Sequence, residues 1–215
     1  HSFWCYDPFG DDVEVNDLPA RRTGRITFGC LNNFCKVNHD VPTLWAAVLR
    51  NLTSSRLLLL CGEGSHRPAT AAVLQQHGVS PDRVEFLSPR PRRLYLDLYH
   101  RIDVALDTFP YNGHTTSLDG LWMGVPVVTL AGDSSLARAG VSQLSNLGLP
   151  EFIARTPEEF VKIATGWVAN IDRLSDLRRT LRPRMKNSPL MDAKSFARDI
   201  EQAYRQMWRN YCASG

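Results

Sequence analysis

DVALDTFPYNGHTTSLD, residues 103–119, reads as one short unit in which a buried strand ends, a tight loop follows and a helix begins. Val104, Ala105 and Leu106 form the strand end, Asp107 closes it, and Pro110-Tyr111-Asn112-Gly113 is loop chemistry. Thr115 then opens a segment whose Leu118, Leu121 and Trp122 recur at helical spacing. In an open α/β sheet, ligands bind at the carboxyl ends of strands where the next helix starts. That helix terminus has unpaired N–H groups and a partial positive charge, so it suits a phosphate. Gly113 would let the backbone approach closely, and the Thr115 and Thr116 hydroxyls can donate to phosphate oxygens. Asp119, one turn further on, is suited to accept from sugar hydroxyls. Ordinary helix capping by Thr115, with Asp119 a solvated helix residue, explains the same letters, and both readings stay open at this point.

Working outward, apolar runs at 26–31, 56–61, 84–87, 102–106 and 125–130 read as strands. The Leu57-Leu58-Leu59-Leu60 run lacks alternation, as expected of a parallel strand covered on both faces. Helical patterns fall at 41–51, 67–76, 91–100, 115–123 and 135–146, with Gly78, Gly124 and Gly148 as stops after three of them. This alternation predicts a Rossmann-like, doubly wound parallel sheet in an α/β domain over residues 25–215. Residues 1–24 read as irregular, their aromatics Phe3, Trp4, Tyr6 and Phe9 packing on the body or on a missing partner domain. The last third is helical: Thr156 caps a helix with Pro157 at its first position, a second spans 171–185 and a third 193–211. Phe196, Ile200, Ala203, Tyr204, Met207, Trp208 and Tyr211 share one stripe of that last helix, which predicts core packing.

With 215 residues and 43% hydrophobic content, the chain can bury a single sizeable core. A net charge of +3 is no footprint for nucleic acid. The basic cluster Arg178, Arg179, Arg182, Arg184 and Lys186 reads as the solvated face and end of a helix. Five cysteines with no C-x-x-C pair fit a reduced, cytoplasmic protein without structural zinc, Cys30, Cys35 and Cys61 serving as small hydrophobes. No run reaches the length of a membrane span. A start at His1 without Met suggests a piece of something longer. Neither G-x-G-x-x-G nor a P-loop occurs. His39, His66, His77 and His100 read as structural or solvent-exposed.

A second candidate segment, Phe28-Gly-Cys-Leu-Asn-Asn-Phe-Cys-Lys36, lies after the first strand. Lys36 there is either a solvent-facing loop lysine or a cation that neutralises a leaving diphosphate. Taken in order, Phe28-Gly-x-Leu-Asn-Asn-x-x-Lys36, Leu106-Asp-Thr, Asn112-Gly-His-Thr-Thr-x-x-Asp119, Gly124-Val-Pro-Val-Val-Thr129, Ser142-Gln, Ser188-Pro-Leu and Met207-Trp208 resemble the C-terminal catalytic lobe of the O-linked N-acetylglucosamine transferases. Bacterial members and the related protein O-fucosyltransferases share the pattern, which here covers nearly the whole chain.

That resemblance implies the nucleotide-binding lobe of a two-lobed GT-B glycosyltransferase, inverting and in need of no metal, with which the absence of a D-x-D triplet agrees. It implies a nucleotide-sugar substrate, UDP-N-acetylglucosamine, no cofactor, and Ser or Thr hydroxyls of proteins as acceptors. UDP-glucose or GDP-fucose as donor, or a nucleotide-binding module without catalysis, are the alternatives. Lys36 matches the lysine that contacts the donor diphosphate, and Asn33 sits where many relatives have Gln near the phosphates. His114, Thr115 and Thr116 match the donor-binding triplet, and Asp119 the carboxylate near the ribose. Arg92 stands where relatives often have Lys beside the nucleoside, and Tyr95 where animal relatives have His near the base. The acceptor-side lobe and the helical repeats that recruit protein substrates have no counterpart in these residues, so the chain alone is expected to turn over little or nothing.

Overall fold

The computed structural model describes residues 2, 4–10 and 13–214, so Phe3 lies outside the described residues. In chain order the elements are α1 (Pro19–Thr23), β1 (Thr27–Cys30), α2 (Asp40–Asn51), β2 (Arg56–Leu60), α3 (His66–Gln76), β3 (Val84–Leu87), α4 (Arg92–Leu96) and β4 (Val104–Leu106). There follow α5 (Thr115–Trp122), β5 (Val127–Leu130), α6 (Ala139–Asn146), β6 (Ile153–Ala154), α7 (Pro157–Val168), α8 (Ile171–Lys186) and α9 (Ala193–Ser214).

The strands form one six-stranded sheet in the order β3-β2-β1-β4-β5-β6, and every neighbouring pair is parallel. Successive residues of a strand face opposite sides, yet Leu57, Leu58 and Leu59 are all buried, so β2 is covered on both faces. The chain runs outward from β1 to β3, returns to place β4 beside β1, then runs outward again. That reversal opens a crevice at the carboxyl ends of β1 and β4, the topological switch point of a doubly wound sheet.

Local signals explain most boundaries. Thr156 accepts from the Glu159 N–H at 3.2 Å and Pro157 occupies the first position of α7. Gly124 ends α5 at φ +76°, a left-handed conformation that side chains disfavour. Gly78 and Gly148 follow the same rule at φ +82° and +66°.

Several elements differ from the pattern in the sequence. Residues 19–23 are helical rather than irregular, because Asp103 Oδ1 accepts from the Ala20 N–H at 2.8 Å and Gly24 closes the turn back onto Ala20. The single helix expected at 91–100 divides into α4 and a tighter turn, Asp97–Arg101. The helix expected at 135–146 begins as a similar turn, Ser135–Arg138, before α6. Two-residue β6 carries no periodicity that could announce it.

The basic cluster on α8 is not uniformly solvated either. Arg178 is fully buried, donating to the carbonyls of Asn16, Ile102 and Tyr99 at 2.9, 2.8 and 3.0 Å. Arg182 donates to the Trp122 and Val13 carbonyls at 2.8 and 2.7 Å. Both cations thus fasten the N-terminal segment to the body, while Arg179, Arg184 and Lys186 are exposed. The largest departure is α9, which buries no residue. Ile200, Tyr204, Met207, Trp208 and Tyr211 are exposed, so the stripe expected in the core is bare on this chain. Cys30 and Cys61 are buried, whereas Cys35 is exposed and packs in no core.

Candidate functional site

Asp107, at the end of β4, builds the loop that leads into α5. Its Oδ1 accepts from the Gly113 N–H at 2.6 Å, the Thr108 N–H at 2.8 Å and the Asn32 side-chain amide at 3.0 Å. Its Oδ2 accepts from the Thr129 hydroxyl of β5 at 2.8 Å. Burial pushes this carboxyl up to about 6, and the four donors oppose the shift. The Thr108 hydroxyl closes the loop by donating to the Tyr111 carbonyl at 2.6 Å. Gly113 is buried in a tight place: a Cβ there would stand 2.0 Å from Ser117 Oγ and 2.7 Å from Asn32 Oδ1. Glycine at 113 is therefore required by the neighbouring side chains, independently of any ligand.

The loop after β1 crosses the switch point to meet this one. Lys36 Nζ donates to the Asn112 carbonyl at 2.9 Å and lies 4.0 Å from the centre of the Tyr111 ring. Half-burial lowers the affinity of its ammonium for the proton, an effect the nearby Asp107 carboxylate opposes. Asn33 is exposed and caps the turn Phe34–Lys36 by accepting from the Cys35 N–H at 3.2 Å. Asn38 fastens the same loop, donating to the Phe109 carbonyl at 3.0 Å.

His114 precedes the first turn of α5 and is its cap residue, so Thr115 is the first helical residue rather than the cap. Gln143, from α6, donates to the His114 carbonyl at 3.2 Å. The His114 ring stands edge-on to Trp4 and Tyr111, with centroids 4.8 and 5.3 Å away. Burial first, and the Lys36 charge second, hold this imidazole below its ordinary pKa, which favours the neutral ring. Its Nε2 is buried without a hydrogen-bond partner among the described residues. Thr115 is exposed and Thr116 half-buried on the same end of the helix.

Asp119 is turned inward and is not a solvated helix residue. At 2% exposure it accepts from the Tyr6 hydroxyl at 2.7 Å and from Arg92 Nη2 at 2.8 Å through Oδ1. Through Oδ2 it accepts from Arg92 Nη1 and the Tyr95 hydroxyl, both at 3.2 Å. A carboxylate offers about four acceptor positions, and these four contacts fill them. Arg92 and Tyr95 are therefore brought together on Asp119. Tyr99, hydrogen-bonded to Tyr95 at 2.8 Å, donates to the Thr116 carbonyl at 2.7 Å and ties this group to α5.

Lys36, Gly113, His114, Thr115 and Thr116 thus surround one corner of the crevice, with Asp119, Arg92 and Tyr95 one turn along α5. Sequence reasoning missed Asn32, Asp107, Gln143, Tyr99 and Tyr6 as parts of this site. Asp107 had a signal, a carboxylate closing an apolar strand; Tyr6 had none, since 113 positions separate it from Asp119.

A family model described as Glycosyl transferase family 41 matches residues 17–200. The chain is 38% identical, over 98% of its length, to a Petunia hybrida protein named probable UDP-N-acetylglucosamine–peptide N-acetylglucosaminyltransferase SPINDLY, of which it covers 23%. It is 32% identical over 86% of its length to the UDP-N-acetylglucosamine–peptide N-acetylglucosaminyltransferase of Caenorhabditis elegans, covering 16% of that protein. Among solved structures, a mutant O-GlcNAc transferase of Thermobaculum terrenum superimposes with a TM-score of 0.84 at 39% identity, over 98% of this chain and 40% of that one. Sucrose-phosphate synthase of Thermosynechococcus elongatus, 16% identical, matches in fold with a TM-score of 0.67 over 96% of this chain and 52% of that one. The chain spans about a quarter of the length of the plant relatives it matches.

Proposed function

The chain belongs to glycosyl transferase family 41, and from that membership we propose that it is the donor-binding lobe of an inverting transferase that moves a sugar from a nucleotide donor to Ser or Thr hydroxyls of proteins. The donor in this reading is UDP-N-acetylglucosamine, the molecule in the names of the plant and nematode relatives. The acceptor hydroxyl, its general base and the helical repeats that recruit the protein substrate belong to parts outside these residues. A reduced, cytoplasmic setting goes with this reading; among the described residues no helix is long and apolar enough to cross a membrane.

The observation that carries the proposal is the contact of Lys36 with the Asn112 carbonyl, which holds an ammonium across the switch point beside the first turn of α5. An ammonium has three N–H donors, and this contact uses one, so two can face a diphosphate. In the transfer, the acceptor oxygen bonds to the anomeric carbon as the bond from that carbon to the diphosphate oxygen breaks. The electron pair and a growing negative charge leave with the diphosphate. Lys36, the N–H groups at the start of α5, and the Thr115 and Thr116 hydroxyls meet that charge, so no metal ion is required of this lobe. The His114 ring, whose surroundings favour the neutral form, stands at the same end of α5 and lines the approach to that turn.

In the full chain, Lys36→Ala should lower sugar transfer by about 10²–10³-fold while the protein still folds. A radiolabelled-sugar assay measures this, and wild-type turnover in that variant would reject the role. Thermal shifts with UDP-N-acetylglucosamine, UDP-glucose and GDP-fucose compare the donors; a shift only with one of the latter two would reject the donor proposed.

A further inference from the structure

Trp4, Tyr6 and Phe9 lie in the segment before α1, and each meets a different residue of the candidate site. The Trp4 ring is edge-on to His114. The Tyr6 hydroxyl donates to Asp119. The Phe9 ring lies 5.5 Å from the Arg92 guanidinium. The segment is anchored independently of these contacts, since the Tyr6 N–H donates to the Leu190 carbonyl at 2.7 Å and its ring tilts against Trp122. Phe9 sits at φ +60°, a conformation that non-glycine residues seldom adopt, so its ring is held over Arg92 at some cost to the backbone.

The geometry of Asp119 indicates what the segment does. Its carboxylate is nearly inaccessible, with a side chain 3% exposed, whereas Arg92, paired with it, is 30% exposed. The Arg92 side chain is therefore the more exposed member of the pair, and the buried carboxylate is the base that fixes it. Tyr6 and Tyr95 take the remaining acceptor positions of that base, which leaves Arg92 one bidentate orientation.

We propose that residues 4–9 form a strap that positions the nucleoside half of the donor site, with Tyr6 a positioning residue acting through Asp119 on Arg92. This rests on the donor-binding reading above and adds to it a segment that lies some 25 residues or more before Lys36 in the chain. The diphosphate end of the site, at Lys36 and the start of α5, is a turn away from Asp119, so the two ends can be separated by experiment.

Calorimetry on the full chain tests this with UDP, GDP and inorganic pyrophosphate as probes. Tyr6→Phe removes one oxygen and keeps the ring. It should weaken the nucleoside diphosphate that the wild type prefers by about tenfold, the scale of a hydrogen bond to a charged group, and leave pyrophosphate competition unchanged. In an Asp119→Asn background the same substitution should change affinity less than about twofold, because the contact it removes is already altered. Phe9→Ser, at a ring 71% exposed, reaches the strap without disturbing the core and should weaken nucleotide binding about threefold. Wild-type affinity in both Tyr6→Phe and Phe9→Ser overturns the proposal, as does an equal loss for pyrophosphate or full additivity with Asp119→Asn. Failure of the wild type to bind either nucleotide overturns the donor-binding reading and the strap with it, an outcome distinct from a normal wild type with silent variants.

Discussion

The loop after β4 and the helix α9 break the usual distribution of residues in opposite directions. Around Asp107 the chain buries a carboxylate, two threonines and two asparagines; along α9 it leaves Tyr204, Trp208 and Tyr211 at 66–74% exposure. The polar cluster is tolerated because four donors from β1's loop, β5 and the loop itself converge on one carboxylate. The apolar stripe is bare because helical periodicity decides which side of a helix is apolar, while burial needs a surface to lie against it. Polarity alone predicts neither region. What decides burial is whether partners are supplied, by hydrogen bonds in one case and by a packed neighbour in the other.

The comparison breaks first at Asp107. Replacing it with leucine leaves the Gly113 and Thr108 N–H groups and the Thr129 hydroxyl without this acceptor and takes one of two from the Asn32 amide. Stability in urea should then fall by about 3–5 kcal/mol. A loss below about 1 kcal/mol would mean that the loop does not depend on the carboxylate.

A smaller effect follows from pH. Burial raises both Asp107 and Asp103 to about 6, above the ordinary aspartate value. Each carboxyl then binds its proton more tightly folded than unfolded. The stabilising contribution is complete below about pH 4 and is lost as pH rises through 6, at up to about 3 kcal/mol per group. Asp107→Asn should remove its share of that slope, measured as urea midpoints between pH 4 and 7. Parallel profiles for the variant and the wild type would contradict the assigned burial. The exposed carboxylates Asp82 and Glu158 shift the other way, so their contribution is lost as pH falls below the ordinary carboxylate range.

The smallest effect belongs to α9. Trp208→Ser should change the stability of this chain by less than about 0.5 kcal/mol, as expected of a ring in water. A loss of 2 kcal/mol or more in the full protein would show that a surface outside these residues covers the stripe.

Local chemistry accounts for what could be read directly from the letters. The leucine run of β2, the Thr156-Pro157 start of α7 and the glycines at 78, 124 and 148 each act within a few residues of where they stand, so five of the strands and the principal helices were legible. In the site, the strand-end loop and the first turn of α5 were legible for the same reason. The inward turn of Asp119, its pairing with Arg92 and Tyr95, and the burial of Arg178 were not. Each depends on residues 24 to 162 positions apart being brought together. The divided helices at 92–101 and 135–146 escaped notice because a short tighter turn leaves almost the same apolar spacing as an α-helix.

By itself, the order of apolar runs, helix signals and turn residues determined an α/β chain with a polar loop at the end of its fourth strand, since propensity, capping and turn chemistry act over short stretches. Only the tertiary structure decided which side chains that loop would meet. The sheet returns β4 to the side of β1, setting Lys36 against Asn112, and the N-terminal segment folds back to set Tyr6 against Asp119. Contacts of that kind arise from the packing of whole elements, which leaves no periodic trace in the letters.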